Sequence, residues 1–326
     1  MKDQFNCRRS ALSTVLAGLL AAALPSQASE ARDEIEIVPV RDGIYMLAGP
    51  KTNVTVQIGK GGVLVVDSME AGMGEQVLAT IRGLTSAPIH YLLNTSALPD
   101  FTGGNAEIAV AGTTIAGGNV AGAIEDSTSG AAVLAHENVL NRMSSMEPAP
   151  AFEGWPTSTY FTARKDIHFN GEPVELLHQP AAVTNGDSLV IFRRSDVIAT
   201  GAIFSTESYP FIDTANGGTF AGVIESLNNI IDMTVPELNQ EGGTIVIPGS
   251  GRLCDESEVV EYRDMLTILR NSIQEMIKEG RSLQQVLKAR PTEGFDARYG
   301  TGTDGWTTDK FVETIYRELS ARKSRR

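Results

Sequence analysis

The stretch LLNTSALPDFTGGN, from Leu92 to Asn105, decides how this chain folds. It closes an apolar run with a threonine and continues with a proline, one acid and a Gly-Gly pair. Proline and glycine after an apolar run indicate that a strand ends in a turn. Loops placed in this way often carry catalytic side chains, yet this one contains no histidine, no cysteine and a single carboxylate, Asp100.

Short β-rich runs precede this loop. Residues 34–68 contain four of them, separated by Asp-Gly, Gly-Pro and Gly-Gly pairs, which predicts a four-stranded meander. A helix is predicted near 71–84, followed by the strand IHYLLN. Residues 130–144 predict a second helix whose apolar face contains Val133, Leu134, Val139 and Leu140.

A second strand-rich block follows at residues 166–200, in the runs DIHFN, PVELLHQ, DSLVIFR and VIATG. Helices are predicted at 218–232, 256–279 and 309–322, and the strand GTIVIPG lies between the first two. Two strand blocks, each followed by helices, predict an α/β fold in which two sheets pack face to face with helices outside.

The first 28 residues have the features of a cleaved export signal. MKDQFNCRRS is net basic, a largely apolar run of 15 residues follows, and Ser26 and Ala28 supply small residues for a signal peptidase. The apolar run is shorter than the roughly 20 residues that span a bilayer. We therefore expect a periplasmic or secreted protein that is not held in the membrane after cleavage. Ordinary secretion is the default route, and Arg8-Arg9 is also compatible with twin-arginine export.

Charge and cysteine content narrow the function classes. Without residues 1–28, 24 basic and 39 acidic side chains remain, a net charge of −15. Such a surface disfavours nucleic acid and anionic lipid as partners. Cys7 leaves with the signal, so Cys254 cannot form a disulfide within the mature chain. A packed, unreactive thiol is the expected state of Cys254.

The quoted loop and several other stretches resemble the metallo-β-lactamase superfamily, specifically its exported bacterial hydrolase-like members. The resemblance is carried by NVTVQIGKGGVLVVDS, the quoted loop, AAVTNGDSLVIF, VIATGAIF and IVIPGSG, in family order. It implies an αβ/βα four-layer sandwich over residues 34–300, with a C-terminal helix and basic end at 301–326. It also implies an active site in loops at one edge of the sheets, with two zinc ions as cofactors.

The metal-ligand positions implied by the resemblance hold the wrong side chains. The family loop THxHxDHxGG reads TSALPDFTGG here, and three further ligand positions lie in AVTNGD, TGAIF and PGSG. Six of the seven expected ligands are absent, because only Asp100 matches; the motif positions are Ser96, Leu98, Asp100, Phe101, Val183, Ala202 and Ser250. Leucine, phenylalanine, valine and alanine have no metal donor. We therefore expect no zinc, and a cleft more apolar than that of a hydrolase.

Few residues outside the motif offer a replacement. His90, His168 and His178 are placed in predicted strands and His136 in a predicted helix, where structural roles are expected. Ser96 and Ser250 lack a GxSxG elbow and a nearby histidine base. Three acids, Asp100, Asp187 and Asp213, suit a hard cation chemically, but Asp187 and Asp213 are expected to hold turns. For Asp100 the hypothesis is a retained structural role in pinning the loop, with a side chain that either stays neutral or accepts hydrogen bonds from backbone amides of the loop.

Aromatic side chains are the candidate ligand-binding groups. Trp155, Tyr160 and Phe161 lie in a long proline-bearing connection, and Tyr209 and Phe211 lie in SYPFIDTANGG. Either set can cover an apolar ligand or simply pack to anchor its loop.

The resulting hypothesis is an exported pseudoenzyme that binds a small apolar ligand or a periplasmic protein. The alternative is an active hydrolase, of ester, thioester or lactam type, that uses a non-standard metal site or none. A third reading is a structural subunit of an export or respiratory assembly.

Overall fold

Two β-sheets lie face to face in the computed structural model, which describes residues 34–114, 130–300 and 305–323. The first sheet has seven strands in chain order. Its strands are β1 (Glu36–Arg41), β2 (Ile44–Ala48), β3 (Asn53–Gly59), β4 (Gly62–Val66), β5 (Ile89–Leu93), β6 (Ala132–His136) and β7 (Ser158–Tyr160). Strands β1 to β4 are antiparallel neighbours, which confirms the predicted meander, and β4 to β7 run parallel.

The second sheet contains five strands in the spatial order β12-β11-β10-β9-β8. They are β8 (Arg164–Phe169), β9 (Glu172–Gln179), β10 (Asp187–Phe192), β11 (Val197–Ala199) and β12 (Ile245–Ile247). Strands β8 to β11 form antiparallel pairs, and β11 pairs with β12 in parallel. The four runs predicted between residues 166 and 200 are therefore all strands.

Apolar side chains from both sheets form the layer between them. Met46 and Leu64 of the first sheet share one buried cluster with Val174, Leu176 and Phe192 of the second. Fully burying such a side chain stabilises the fold by about 1.5–3 kcal/mol. This central layer fixes how the two sheets face each other.

Helices cover the outer face of each sheet. The helices are α1 (Gly74–Leu84), α2 (Pro99–Thr102), α3 (Asn105–Ala111), α4 (Glu137–Ser145), α5 (Phe220–Met233), α6 (Glu256–Lys278), α7 (Leu283–Ala289), α8 (Asp296–Tyr299) and α9 (Thr308–Lys323). Residues of α1 and α3 pack on the first sheet, and residues of α5, α6, α7 and α9 pack with those of the second. The layers are therefore helix, sheet, sheet, helix, as the resemblance implied.

The C-terminal helix α9 is an integral part of the outer layer. Its Phe311, Val312 and Ile315 are buried in the cluster that contains α5 and α6. A capping box formed by Asp255 and Glu258 starts α6, the longest of these helices.

Residues 130–144 do not form a single helix, so that prediction was wrong. Val133 and Leu134 lie in the buried strand β6, which pairs in parallel with β5 and β7, and α4 begins only at Glu137. A short apolar run reads the same in a buried strand and in a helix, and pairing with β5 decided between them. His136, predicted in a helix, is the last residue of β6.

The predicted export signal lies outside the described residues. In the part of the chain that the structure does describe, no helix is long and apolar enough to cross a membrane.

Candidate functional site

The candidate site lies at the edge where β4, β5, β11 and β12 end. The loops that leave these strands touch one another closely. Gly201 has a left-handed backbone (φ +51°), and a Cβ there would lie 2.1 Å from Thr95 Oγ1. A Cβ on Gly249 would lie 2.2 Å from the carbonyl oxygen of Gly201. Only glycine allows this approach at both positions.

A buried carboxylate holds the start of the quoted loop. Asp67, directly after β4, accepts hydrogen bonds from the Thr95 backbone N–H at 2.8 Å and from Thr95 Oγ1 at 2.7 Å. Burial raises the pKa of Asp67 to about 7, against the lowering effect of both hydrogen bonds. Sequence reasoning missed this residue, although VVDS places an acid after a buried strand.

A second buried carboxylate supports the same loop from the other sheet. Asp187 accepts hydrogen bonds from Thr184 N at 2.6 Å and Thr184 Oγ1 at 2.8 Å, and the Ser96 hydroxyl also bonds to it. Burial raises the pKa of Asp187 to about 7. The charge of Asp187 in turn raises the pKa of Asp67. As expected, Asp187 holds a turn; we call these five residues, Asp67, Thr95, Ser96, Thr184 and Asp187, the polar frame.

Asparagine and serine side chains extend this support beneath α2 and α3. Asn105 donates to Asn94 Oδ1 at 2.9 Å and to the Gly154 carbonyl at 3.0 Å, and Asn94 donates back to Asn105 Oδ1. Ser68 Oγ donates to Asn105 Oδ1 at 2.8 Å. Since all of these groups are buried, their mutual hydrogen bonds fix the shape of the loop.

Five of the seven motif positions meet at one cavity of about 560 Å³. The residues are Leu98, Asp100, Phe101, Ala202 and Ser250. The other two lie beneath it: Ser96 and Val183 are fully buried and do not line the cavity. Ser96 instead accepts a hydrogen bond from Leu98 N at 3.2 Å and serves the polar frame.

Aromatic residues form much of the cavity wall. Among the residues that the structure describes, seven aromatic side chains line it: Phe101, Phe204, Tyr209, Phe211, Tyr299, Trp306 and Phe311. Phe211 packs edge-on against Trp306 at 5.0 Å between ring centroids, and Tyr209 stacks on Phe311 at 4.6 Å. Because Trp306 and Phe311 belong to the C-terminal segment, the tail closes this wall.

The four candidate ligand-binding aromatics divide into two pairs. Tyr209 and Phe211 line the cavity. Trp155 and Tyr160 do not line the cavity. The Trp155 indole donates a hydrogen bond to the Pro150 carbonyl at 3.0 Å, and Tyr160 is buried between the sheets. The Tyr160 hydroxyl and Ser188 Oγ lie 2.6 Å apart, and burial raises the Tyr160 pKa to about 12. These contacts tie Trp155 and Tyr160 to their own connection, and the neighbouring Phe161 is exposed.

Asp100 contributes to the loop through its backbone rather than its carboxylate. Its carbonyl oxygen accepts a hydrogen bond from Thr52 Oγ1 at 2.8 Å. The half-buried carboxylate has no hydrogen bond or ion pair with any described residue. Asp100 therefore holds the loop through its carbonyl oxygen, and the carboxylate that supports the loop is that of Asp67.

The residues present do not fit a zinc pair. Leu98, Phe101 and Ala202 line the cavity without offering a donor atom, and the Ser96 hydroxyl is committed to Asp187. Among the described residues, no group of three or more His, Cys, Asp or Glu is placed to hold a metal ion. One free carboxylate is too few donors for a zinc site.

Two histidines form a stack that sequence reasoning did not foresee. The rings of His136 and His178 lie 3.6 Å apart and nearly parallel. His136 Nδ1 accepts a hydrogen bond from Asn138 N at 3.2 Å, and His136 Nε2 is buried with no hydrogen-bond partner among the described residues. Burial, followed by the charge of His178, lowers the pKa of His136 to about 4. Neither histidine lines the cavity.

The remaining candidates have structural roles. Asp213 accepts hydrogen bonds from Asn216 N and Nδ2 and so caps a short turn, as expected. Cys254 is buried, its thiol donates to the Arg252 carbonyl at 3.0 Å, and burial raises the thiol pKa to about 12. A thiol in this state is not a nucleophile near neutral pH.

Comparison with known proteins finds likeness only at the level of three-dimensional structure. No protein-family model and no curated protein sequence matches the chain. A metallo-β-lactamase from Pontibacter korlensis superposes with a TM-score of 0.54 at 13% identity, covering 72% of this chain and 99% of its own. The DIM-1 metallo-β-lactamase superposes with a TM-score of 0.53 at 14% identity, covering 72% of this chain and 97% of its own.

These superpositions agree with the sheet order and the four layers described above. At such low identity they show the fold and nothing about activity. The expected architecture is confirmed: this chain has the metallo-β-lactamase fold.

Proposed function

We propose that this protein is an exported pseudoenzyme that binds a small apolar ligand in the cavity where enzymes of this fold carry out catalysis. One observation carries the proposal. Leu98, Phe101 and Ala202, at positions where the family holds metal ligands, converge on a cavity of about 560 Å³. Cavities of about 300–1,000 Å³ with apolar and aromatic walls are typical of small-molecule sites.

The chemistry of the cavity wall supports binding rather than hydrolysis. A metal-dependent hydrolase needs donors that hold the ion and leave one position open for water. Here the motif positions that face the cavity offer one carboxylate, Asp100, and one hydroxyl, Ser250. A metal-independent hydrolase needs a nucleophile with an adjacent base, and no histidine lines the cavity.

Ligand binding is tested with an uncharged dye whose fluorescence rises in apolar surroundings. Ala202→Leu narrows the cavity and should weaken dye binding about tenfold, since added methylene groups clash with a filled site. The matched control is Ala79→Leu on the exposed face of α1, which should leave dye affinity unchanged. Equal affinity of both variants would place the dye elsewhere and contradict the proposal.

Metal dependence is tested separately by elemental mass spectrometry. The mature protein, purified without a histidine tag and equilibrated with zinc, manganese, iron and calcium, should retain less than about a tenth of an equivalent of each. One or two tightly held equivalents would favour a metallo-hydrolase with an unrecognised donor set.

Export is part of the same proposal and rests on residues 1–28. N-terminal sequencing of the protein recovered from the periplasmic fraction should begin at Ser29. A cytoplasmic, uncleaved chain would contradict this part of the proposal and leave the binding function untouched.

A further inference from the structure

The charged side chains of the cavity wall narrow the class of ligand. Lys51 and Glu207 each have an interaction of their own, and the Asp213 carboxylate accepts two hydrogen bonds from Asn216. Asp100 and Arg142 are the two charged lining residues whose side chains form no hydrogen bond or ion pair with any described residue. The charged lining residues of the cavity are Lys51, Asp100, Arg142, Glu207 and Asp213.

Arg142 is placed where it can reach a bound molecule. It lies in the last turn of α4, is half-buried, and lines both this cavity and a neighbouring one of about 350 Å³. Its guanidinium makes no hydrogen bond or ion pair with any described residue. The Asp100 carboxylate is unpaired in the same sense, and the two groups are not paired with each other.

A ligand that fills this cavity removes water from both charges. A neutral apolar ligand pairs with neither group, so its affinity comes from apolar contacts alone and is reduced by the desolvation of both charges. A ligand with one charge pairs with one of the two groups and leaves the other desolvated and unpaired. A ligand with both an ammonium and a carboxylate forms a charge-assisted hydrogen bond at each.

We propose that the apolar part of the ligand is an aromatic body with a charge at each end: the cavity binds a zwitterionic molecule, in the class of aromatic amino acids and short aromatic peptides. This inference rests on the proposed ligand-binding function. The ligand's ammonium faces Asp100, and its carboxylate faces the planar guanidinium of Arg142, which suits a bidentate contact. The aromatic body packs against Phe211 and Trp306, where edge-to-face and offset contacts add to apolar burial.

The test uses four forms of one dipeptide, phenylalanyl-phenylalanine. The free dipeptide carries both charges, its amide only the ammonium, its N-acetyl form only the carboxylate, and the N-acetyl amide neither. Binding is followed by the fluorescence of Trp306 in a Trp155→Phe background, because the chain contains two tryptophans and only Trp306 lines the cavity.

The free dipeptide should bind about tenfold or more tightly than either singly charged form, because each charged hydrogen bond contributes about that factor. The neutral form should bind most weakly. Equal affinity for all four forms would overturn the inference and still support an apolar ligand site. No response to any form, with the uncharged dye still bound, would also overturn it.

Two variants assign the charges. Asp100→Asn should lower affinity for the dipeptide and its amide about tenfold and should not weaken binding of the N-acetyl form, which has no ammonium. Arg142→Gln should lower affinity for the dipeptide and its N-acetyl form about tenfold and should not weaken binding of the amide. Glu75→Gln and Arg82→Gln, exposed on α1, are the matched controls and should change nothing. A loss of affinity for all forms in either cavity variant would contradict the assigned contacts. Failure of both the dye and the dipeptides to bind would instead remove the proposed function itself.

Discussion

The polar frame and the cavity wall are two sides of one loop, and they differ in chemistry. In the frame, Asp67 and Asp187 are buried and accept hydrogen bonds from Thr95, Thr184 and Ser96. On the cavity side, the same loop presents Leu98 and Phe101 together with the unpaired Asp100. The hydrogen bonds of the frame therefore hold the loop in shape from its buried side.

The largest effect should follow from removing the central acid of the frame. Asp67→Ala leaves the buried Thr95 N–H and hydroxyl without their acceptor and places alanine at φ +63°. The free energy of unfolding should fall by about 3 kcal/mol, measured by urea denaturation. Asp100→Ala is the matched control and should change it by less than about 0.5 kcal/mol. Similar losses of unfolding free energy in both variants would contradict the conclusion that the polar frame, and not the cavity wall, stabilises the loop.

The frame should also make stability depend on pH. The pKa of Asp67 is about 7 in the folded protein and 3.8 in the reference state, so the folded state binds the extra proton between these values. Its contribution is present below about pH 4 and is lost as the pH rises through 7. His136, whose pKa is lowered to about 4, acts in the opposite direction below pH 6.5.

The contribution of Asp67 is isolated by comparing wild type with Asp67→Asn. Between pH 5 and pH 8 the wild type should lose about 2 kcal/mol relative to the variant, measured by urea denaturation at each pH. His136 is present in both proteins, so its effect cancels. A constant difference across this range would mean that Asp67 does not titrate there.

A smaller effect should separate two serines that occupy motif positions. Ser96→Ala removes a buried hydroxyl that accepts from Leu98 N and bonds to Asp187, so unfolding should become about 1 kcal/mol easier. Ser250→Ala, at the cavity wall, should have almost no effect. Differential scanning calorimetry of the two variants measures this difference. A larger loss of stability in Ser250→Ala than in Ser96→Ala would mean that Ser250, rather than Ser96, supports the loop.

The smallest effect is expected at Asp100. Asp100→Asn keeps the shape of the side chain and the carbonyl that accepts from Thr52, so stability should stay within about 0.5 kcal/mol of wild type. Thermal unfolding measures it. A loss of several kcal/mol would reveal an ionised partner for this carboxylate.

Most strands and long helices followed from local patterns in the sequence. The meander of β1 to β4, the runs of β8 to β12 and the amphipathic α5, α6 and α9 all have clear periodicity or turn signals. Strand β6 did not, because Val133 and Leu134 form a short apolar run whose state depends on pairing with β5. The three-residue strand β7 gave no periodic signal, since Ser158 and Thr159 are exposed and it exists through its pairing with β6.

For the candidate site, the sequence could predict which residues occupy the motif positions. It could not predict which way their side chains face. The sequence identified Ser96, Leu98, Phe101 and Ala202 as the residues that occupy motif positions where the resemblance implies metal ligands. It did not show that Ser96 points into the frame while the other three line the cavity. Asp67 and Arg142 were not predicted, because neither lies in a recognisable motif and their roles depend on tertiary contacts.

By itself, the sequence determined most of the strands and helices, the layer arrangement and which side chains occupy the motif positions, because these depend on local periodicity and on side-chain chemistry. Tertiary structure alone decided which side of the loop each residue faces and that α9 closes the aromatic wall. It also decided that Asp100 and Arg142 line one cavity without pairing with any residue that the structure describes. These properties depend on contacts between segments far apart in the chain, such as Thr95 against Gly201, and no local pattern encodes them.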